Sequence, residues 1–249
     1  MKEVLERGFC LPEAYHNALE ALNEIGEISD CPDYNQKQKE LSMTMYVEEA
    51  LTEPMISSLF IGGFEELEQY RQEMLDGILD FRIGHGWDYT YHSRMQEQYS
   101  FLISELKRNK DSRRAVIDIR DWKKDITSTS PACLQNMQFF IRNNKLHLKV
   151  LMRSNDATEA TFMNAFAFIM FQKKIADELG VAVGSYVHRA NSFHCYEKDF
   201  KMLEGYVKAI KEKKLNDISY NYVGYFDEMM QESLPNIKLK IEQVRAGLN

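Results

Sequence analysis

The stretch 158–179, TEATFMNAFAFIMFQKKIADEL, constrains the fold more than any other part of the chain. Its apolar residues lie on nearly all sides of a helix, and Gly180 stops it. Such a helix must be surrounded by other elements. A chain of 249 residues with 44% hydrophobic content can supply that cover, since a domain of this size buries about 70–75% of its unfolded surface. No run of 18 apolar residues offers a membrane span instead.

The neighbours of this helix read as strands. Segments 115–119, 137–141 and 146–152 are short apolar runs, and Asn143-Asn144 suits a tight turn because Asn tolerates positive φ. A further strand is predicted over 183–190, and Leu41, Met43, Met45 and Val47 alternate as a half-buried strand does. Helical spacing predicts helices over 12–25, 64–82, 94–109, 199–214 and 222–246. Together these predict an α+β fold, a mixed sheet with packed helices. No linker or repeat divides the chain, so one domain spanning 1–249 is expected.

The net charge of −7 argues against broad binding to duplex nucleic acid, which calls for a basic footprint. Cys10, Cys31, Cys133 and Cys195 have neither CxxC spacing nor a paired framework, so reduced thiols are expected and no metal site. The start MKEVLERGFC lacks the apolar core of a signal peptide, and a cytoplasmic protein is expected.

A polar constellation is spread along the second half. Arg113-Arg114 opens a strand, and Cys133 follows Arg114 by 19 positions. Arg153 lies 20 beyond Cys133, Asn164 a further 11, and His194 another 30. Each has an ordinary explanation alone. A lone Cys beside Phe139 and Phe140 is usually core, and strand-end arginines are usually solvated. As a set they supply a thiol nucleophile that nearby guanidinium groups make more acidic. They also supply Arg153 with Ser154 for a phosphate, an amide at Asn164 for a base edge, and His194 with Tyr196 on one strand face. That inventory suits a nucleotide.

The residues Asp111–Arg114 (DSRR), Pro131-Ala132-Cys133 with Gln138-Phe139-Phe140, Arg153–Asp156 (RSND), Asn164 and His194-Cys195-Tyr196 resemble the thymidylate synthase family, which includes the pyrimidine nucleotide hydroxymethylases. The match covers about a third of the chain well. The resemblance implies a thymidylate synthase-like α+β fold and a homodimer through the sheet. It implies that Cys133 adds to C6 of the pyrimidine and that Arg153 and Ser154 hold its phosphate. Arg113 and Arg114 reach in from the partner subunit. Asn164 reads the base, His194 and Tyr196 bind the sugar hydroxyl, and Asp156 helps position 5,10-methylenetetrahydrofolate. Glu53, in Glu53-Pro54, resembles the family's general acid/base glutamate. Tyr89 fits the tyrosine that helps remove the C5 proton, with Tyr91 as its rival.

Several positions depart from the family's usual pattern. Leu134 follows the nucleophile, Met152 precedes the phosphate-binding Arg, and Ser192 stands two residues before His194, as in the hydroxymethylases. The segment 159–163 lacks the Gly and Pro of the folate-facing turn. No N-terminal phosphate arginine stands out; Gln36, Lys37 and Lys39 are the nearest polar groups. The departures gather on the folate side. The resemblance implies one-carbon transfer to C5 of a uridine nucleotide, and the base-reading Asn164 puts dUMP to dTMP first. Hydroxymethylation of dUMP, CMP or dCMP and a non-catalytic nucleotide-binding regulator are the alternatives.

Overall fold

The computed structural model describes residues 1–248. In chain order the elements are β1 (Glu3–Gly8), α1 (Leu11–Ile25), β2 (Glu27–Cys31), β3 (Gln36–Val47), β4 (Ile56–Ser57), α2 (Phe64–Leu75), α3 (Tyr91–Arg108) and β5 (Val116–Asp118). There follow α4 (Trp122–Asp125), β6 (Leu134–Arg142), β7 (Lys145–Asp156), α5 (Thr161–Leu179), β8 (Ala182–Tyr196), α6 (Phe200–Glu212), β9 (Ser219–Tyr220) and α7 (Asp227–Ala246).

The main sheet runs β1-β3-β8-β7-β6-β5, with β2 hairpinned onto the first half of β3. It is mixed. The β6–β7 pair is an antiparallel hairpin closed by Asn143 and Asn144, both left-handed at φ 51° and 57°. The β7–β8 pair is parallel, and α5 is its crossover. Likewise β1 and β3 are parallel, joined through α1. Alternation along β6 and β7 sends Met137, Phe139, Leu148 and Val150 into the core, leaving Phe140 and Leu151 half-buried on the other face.

The core gathers around α5. Phe162, Phe166, Phe168 and Ile169 are buried there, each worth about 1.5–3 kcal/mol on removal from water. The helix packs on α2 as well as on the sheet. Buried Gln172 donates its amide N–H groups to Leu146 O and Ser185 O, which ties the helix to both strands. Gly180, left-handed at φ 66°, donates back to Asp177 O and ends the helix as its sequence predicts. Among the described residues no helix is long and apolar enough to cross a membrane.

Two predicted helices are shorter than their periodicity suggests. The helix expected over 64–82 ends at Leu75, because Gly77 turns left-handed (φ 64°) and the chain then makes a 3₁₀ turn at Asp80–Arg82. A Cβ at Gly77 would lie 2.2 Å from His92 Nδ1, so only glycine lets this turn approach α3. The segment expected as one helix over 222–246 is kinked at Val223-Gly224, and α7 starts at Asp227.

Two buried histidines are held neutral. His188 Nε2 donates to Asn155 Oδ1 (2.8 Å), and the Tyr186 hydroxyl donates to its Nδ1 (2.7 Å). His16 Nε2 accepts from Ser57 Oγ at 2.7 Å. Burial pushes His188 down to about 3 and His16 to about 4. An unfolded imidazole titrates near ~6.5, so below that pH the unfolded chain takes up protons that the folded one refuses. The stability these groups contribute is therefore complete above about pH 6.5 and is lost as pH falls toward 4 and then 3. We expect Tm to drop by about 5 °C or more between pH 7 and pH 5, and the drop to be smaller in His188→Gln, as calorimetry would measure.

Candidate active site

The β6–β7 pairing decides what surrounds Cys133. Leu134 pairs with Met152, so the residue before β6 falls beside Arg153, and Arg153 N donates to Cys133 O at 2.6 Å. The Arg153 guanidinium turns back over the thiol: Nη2 lies 3.5 Å from Cys133 Sγ and 3.3 Å from Pro131 O. Ser154 Oγ is 3.6 Å from the same sulfur. A guanidinium and a hydroxyl thus both face the sulfur. The other cysteines differ. Cys10 and Cys195 are buried, and burial raises both thiols, Cys195 to about 12.

A second wall comes from the start of α3. Leu134 N donates to the Tyr91 hydroxyl at 3.3 Å, which places Tyr91 against the residue after the thiol. Tyr89 lies 6.0 Å from Tyr91 between ring centres, and its hydroxyl reaches Ser130 O at 3.5 Å. The Arg94 guanidinium sits 4.0 Å over the Tyr89 ring and is itself clamped by Asp125, at 2.6 and 3.0 Å. Asp125 is buried, and the Arg94 hydrogen bonds hold its carboxyl below the usual range. Burial pushes both phenols up, Tyr89 to about 12.

The third wall is α2. Tyr70 donates its hydroxyl to Asn164 Oδ1, across 94 positions of sequence, so Asn164 on α5 is satisfied from a neighbouring helix. One turn on, Glu73 accepts from Gln69 Nε2 at 2.9 Å, and burial raises its carboxyl. Tyr70, Glu73, Met74, Trp87, Tyr89 and Tyr91 line a cleft of about 510 Å³. The Arg82 guanidinium covers Trp87 at 4.6 Å.

The end of β8 carries His194 and Tyr196, their ring centres 4.9 Å apart on one face, as their alternation predicts. His194 is buried, and its Nδ1 lies 3.3 Å from Ser192, whose hydroxyl donates to Glu40. Opposite His194 in the parallel pairing is Asp156. Its Oδ1 accepts from Thr158 N and Glu159 N, closing the turn before α5, while its buried Oδ2 has no partner among the described residues. Oxygens of Asp156, Glu159 and Asp199 come within 4.8 Å of one another. Lys198 Nζ already lies 2.7 Å from Glu159 and 3.5 Å from Asp199.

Cys133, Arg153, Ser154, Tyr89 and Tyr91 thus come together. Asn164 joins α2 beside them, and His194, Tyr196 and Asp156 form a neighbouring group. Glu53 stands apart. Its carboxylate accepts the N–H groups of Met55, Tyr222 and Val223, at 2.9, 2.8 and 2.9 Å, and none of these belongs to the Cys133 cluster. Arg113 and Arg114 are exposed, and among the described residues neither forms an ion pair or a hydrogen bond to that cluster. Sequence reasoning missed Tyr70, Glu73 and Trp87. Its signals were slight: Tyr70 and Glu73 share a helix face at i, i+3, and Trp87 is two residues before Tyr89.

Comparison with known proteins places this arrangement. The Thymidylate synthase family model matches residues 63–239. A Methanocaldococcus jannaschii protein named "Putative thymidylate synthase" is 31% identical over 211 residues, covering 78% of this chain and 91% of its own length. "Thymidylate synthase 1" of Bacillus subtilis is 26% identical over 159 residues, a match covering 60% of this chain and 54% of that protein. The structure of thermostable thymidylate synthase A from Bacillus subtilis superposes with a TM-score of 0.65 at 18% identity, over 80% of this chain and 84% of that one. With a matching family model over most of its length and a shared fold, the chain belongs to the thymidylate synthase family.

Proposed function

We propose that the protein transfers one carbon from 5,10-methylenetetrahydrofolate to C5 of a uridine nucleotide, converting dUMP to dTMP. The observation that carries this reading is the Arg153 guanidinium 3.5 Å from Cys133 Sγ, with an amide held at Asn164 nearby. The thiolate of Cys133 adds to C6, and the electron pair of the C5–C6 bond moves toward O4, where Asn164 donates an N–H. C5 is then the nucleophile. Arg153 and Ser154 serve the phosphate, and His194 with Tyr196 serve the sugar. When bound, 5,10-methylenetetrahydrofolate would supply the one-carbon unit and, for a methyl product, the hydride that reduces it. The aromatic walls Trp87 and Tyr89 suit a flat ring, and the unpartnered Asp156 Oδ2 suits an N–H donor.

Proton transfer needs a group with access to the cleft. Glu73 lines it, and its burial-raised carboxyl can hold a proton closer to neutrality than a solvated one does. We assign proton handling to Glu73 with Tyr91, and to Glu53 the anchoring of residues 222–223. Ser192, where the usual synthase has Asp, favours the hydroxymethyl outcome as a second reading, in which water adds to the transferred carbon. In the dimer, Arg113 and Arg114 extend to the partner's phosphate site, and the half-buried sheet face of Phe140 and Leu151 is the contact surface.

Incubation with dUMP and methylenetetrahydrofolate, followed by mass analysis, separates a methyl from a hydroxymethyl product. Binding of dUMP with no tritium release from C5 would instead identify a regulator. We expect Cys133→Ala to abolish tritium release, and turnover by that variant would sink the mechanism. Glu73→Gln should lower kcat about 100-fold with nucleotide binding kept. Glu53→Gln should mainly lower Tm, by about 2–4 °C or more, as thermal melts would show. Arg114→Ala should raise KM for the nucleotide about 10-fold or more. Mixing it with Cys133→Ala should restore a population of sites with the unmodified KM in heterodimers, and a mixture showing only the raised KM would exclude sharing of the site between subunits.

A further inference from the structure

Tyr70 belongs to none of the motifs that carry the family resemblance, yet its hydroxyl is the hydrogen-bond partner of the Asn164 amide among the described residues. It sits on α2, one turn before Glu73, and lines the same cleft as Glu73 and Tyr91. Burial raises the phenol well above its usual value, so at neutral pH the hydroxyl is a neutral donor. Its single proton goes to Oδ1. The amide has two ends of opposite character, an acceptor oxygen and a nitrogen with two donors. With the oxygen committed to Tyr70, the Nδ2 end is the one left for a ligand.

A rotated amide would bring Nδ2 toward Tyr70. The hydroxyl would then have to accept, and its own proton would need a new partner; no other hydrogen-bond acceptor of that proton is present among the described residues. An unmade hydrogen bond in a buried site is what makes such a rotation unfavourable. The two common pyrimidines differ at this point. Uracil presents the O4 acceptor, whereas cytosine presents an amine donor.

Taking the nucleotide reading above as its basis, we propose that Tyr70 is a positioning residue for base choice. By donating to Oδ1 it holds the Asn164 amide with Nδ2 toward the nucleotide, selecting a base with an acceptor at C4 over one with an amine.

The test is the ratio of dUMP to dCMP affinity, measured by titration calorimetry. In Tyr70→Phe the ring stays and the donor is lost, and we expect the ratio to fall about 10-fold or more, through a gain in dCMP binding. A merely structural role for the hydroxyl would weaken both nucleotides together. The double variant Tyr70→Phe/Asn164→Asp supplies a second readout. A carboxylate has no second orientation to choose, so removing the hydroxyl in the Asn164→Asp background should leave the ratio within about 2-fold. Should Tyr70→Phe not fold, the unmodified protein still decides the matter. Its ¹⁵N-labelled Asn164 side-chain NH₂ resonance should shift on binding dUMP and not on binding dCMP, and equal shifts would overturn the proposal. An unchanged ratio in folded Tyr70→Phe overturns the role of Tyr70 alone. If the unmodified protein binds neither nucleotide, the function proposed above fails and the base-choice role falls with it.

Discussion

A helix with apolar residues on nearly every side is stable in water only when other elements enclose it. Here α5 obtains that enclosure from β7 and β8, whose parallel connection it forms, and from α2 on its outer side. The enclosure determines where chemistry can sit. Arg153, Ser154 and Asp156 lie at the end of the strand that leads into α5, Asn164 is on its first turn, and His194 and Tyr196 end the strand that follows it. One crossover unit therefore delivers most of the polar groups to the same end of the sheet. Ligand sites in sheets with parallel strands gather at the carboxyl ends of those strands for the same geometric reason.

Electrostatics refine what topology brings together. The chain carries a net charge of −7, yet the surroundings of Cys133 are locally cationic, with Arg153 against the sulfur and Arg94 over Tyr89. The two arginines differ in freedom. Arg94 is spent on buried Asp125, a bidentate pair that fixes the Tyr89 ring, whereas Arg153 has no carboxylate partner among the described residues and keeps its capacity for an anion. A local field of the sign opposite to the net charge is how an acidic protein binds a phosphate without binding nucleic acid broadly.

Much of this was legible in the residues. The alternation of Leu41, Met43, Met45 and Val47, the Asn143-Asn144 turn and the stop at Gly180 all appear as expected, because each depends on local backbone preference or on a two-fold or 3.6-fold period. The proximity of Cys133 to Arg153 was also foreseeable once 137–141 and 146–152 were paired as a hairpin. The contact of Tyr70 with Asn164 was not. Periodicity says that Tyr70 turns inward on its helix, but which residue it meets depends on how α2 lies on α5. The early end of α2 has a similar cause: the turn at Gly77 reflects His92 and Asp80, which become neighbours only on folding. Two of the three backbone hydrogen bonds that Glu53 accepts come from Tyr222 and Val223, which no local pattern ties to it.

Those three hydrogen bonds have a temporal consequence. Glu53 is separated from its partners Tyr222 and Val223 by 169 and 170 positions. The helix that follows, α7, rests on α2, and Lys240 pairs with Glu65 at its far end. The wall that bears Tyr70 and Glu73 is therefore braced by residues synthesised long after it. On the ribosome, the crossover around α5 can assemble first, while the opposite wall of the cleft waits for residues 222–240 to emerge. A nascent chain would thus own its thiol and its guanidinium before it owns an enclosed place to use them.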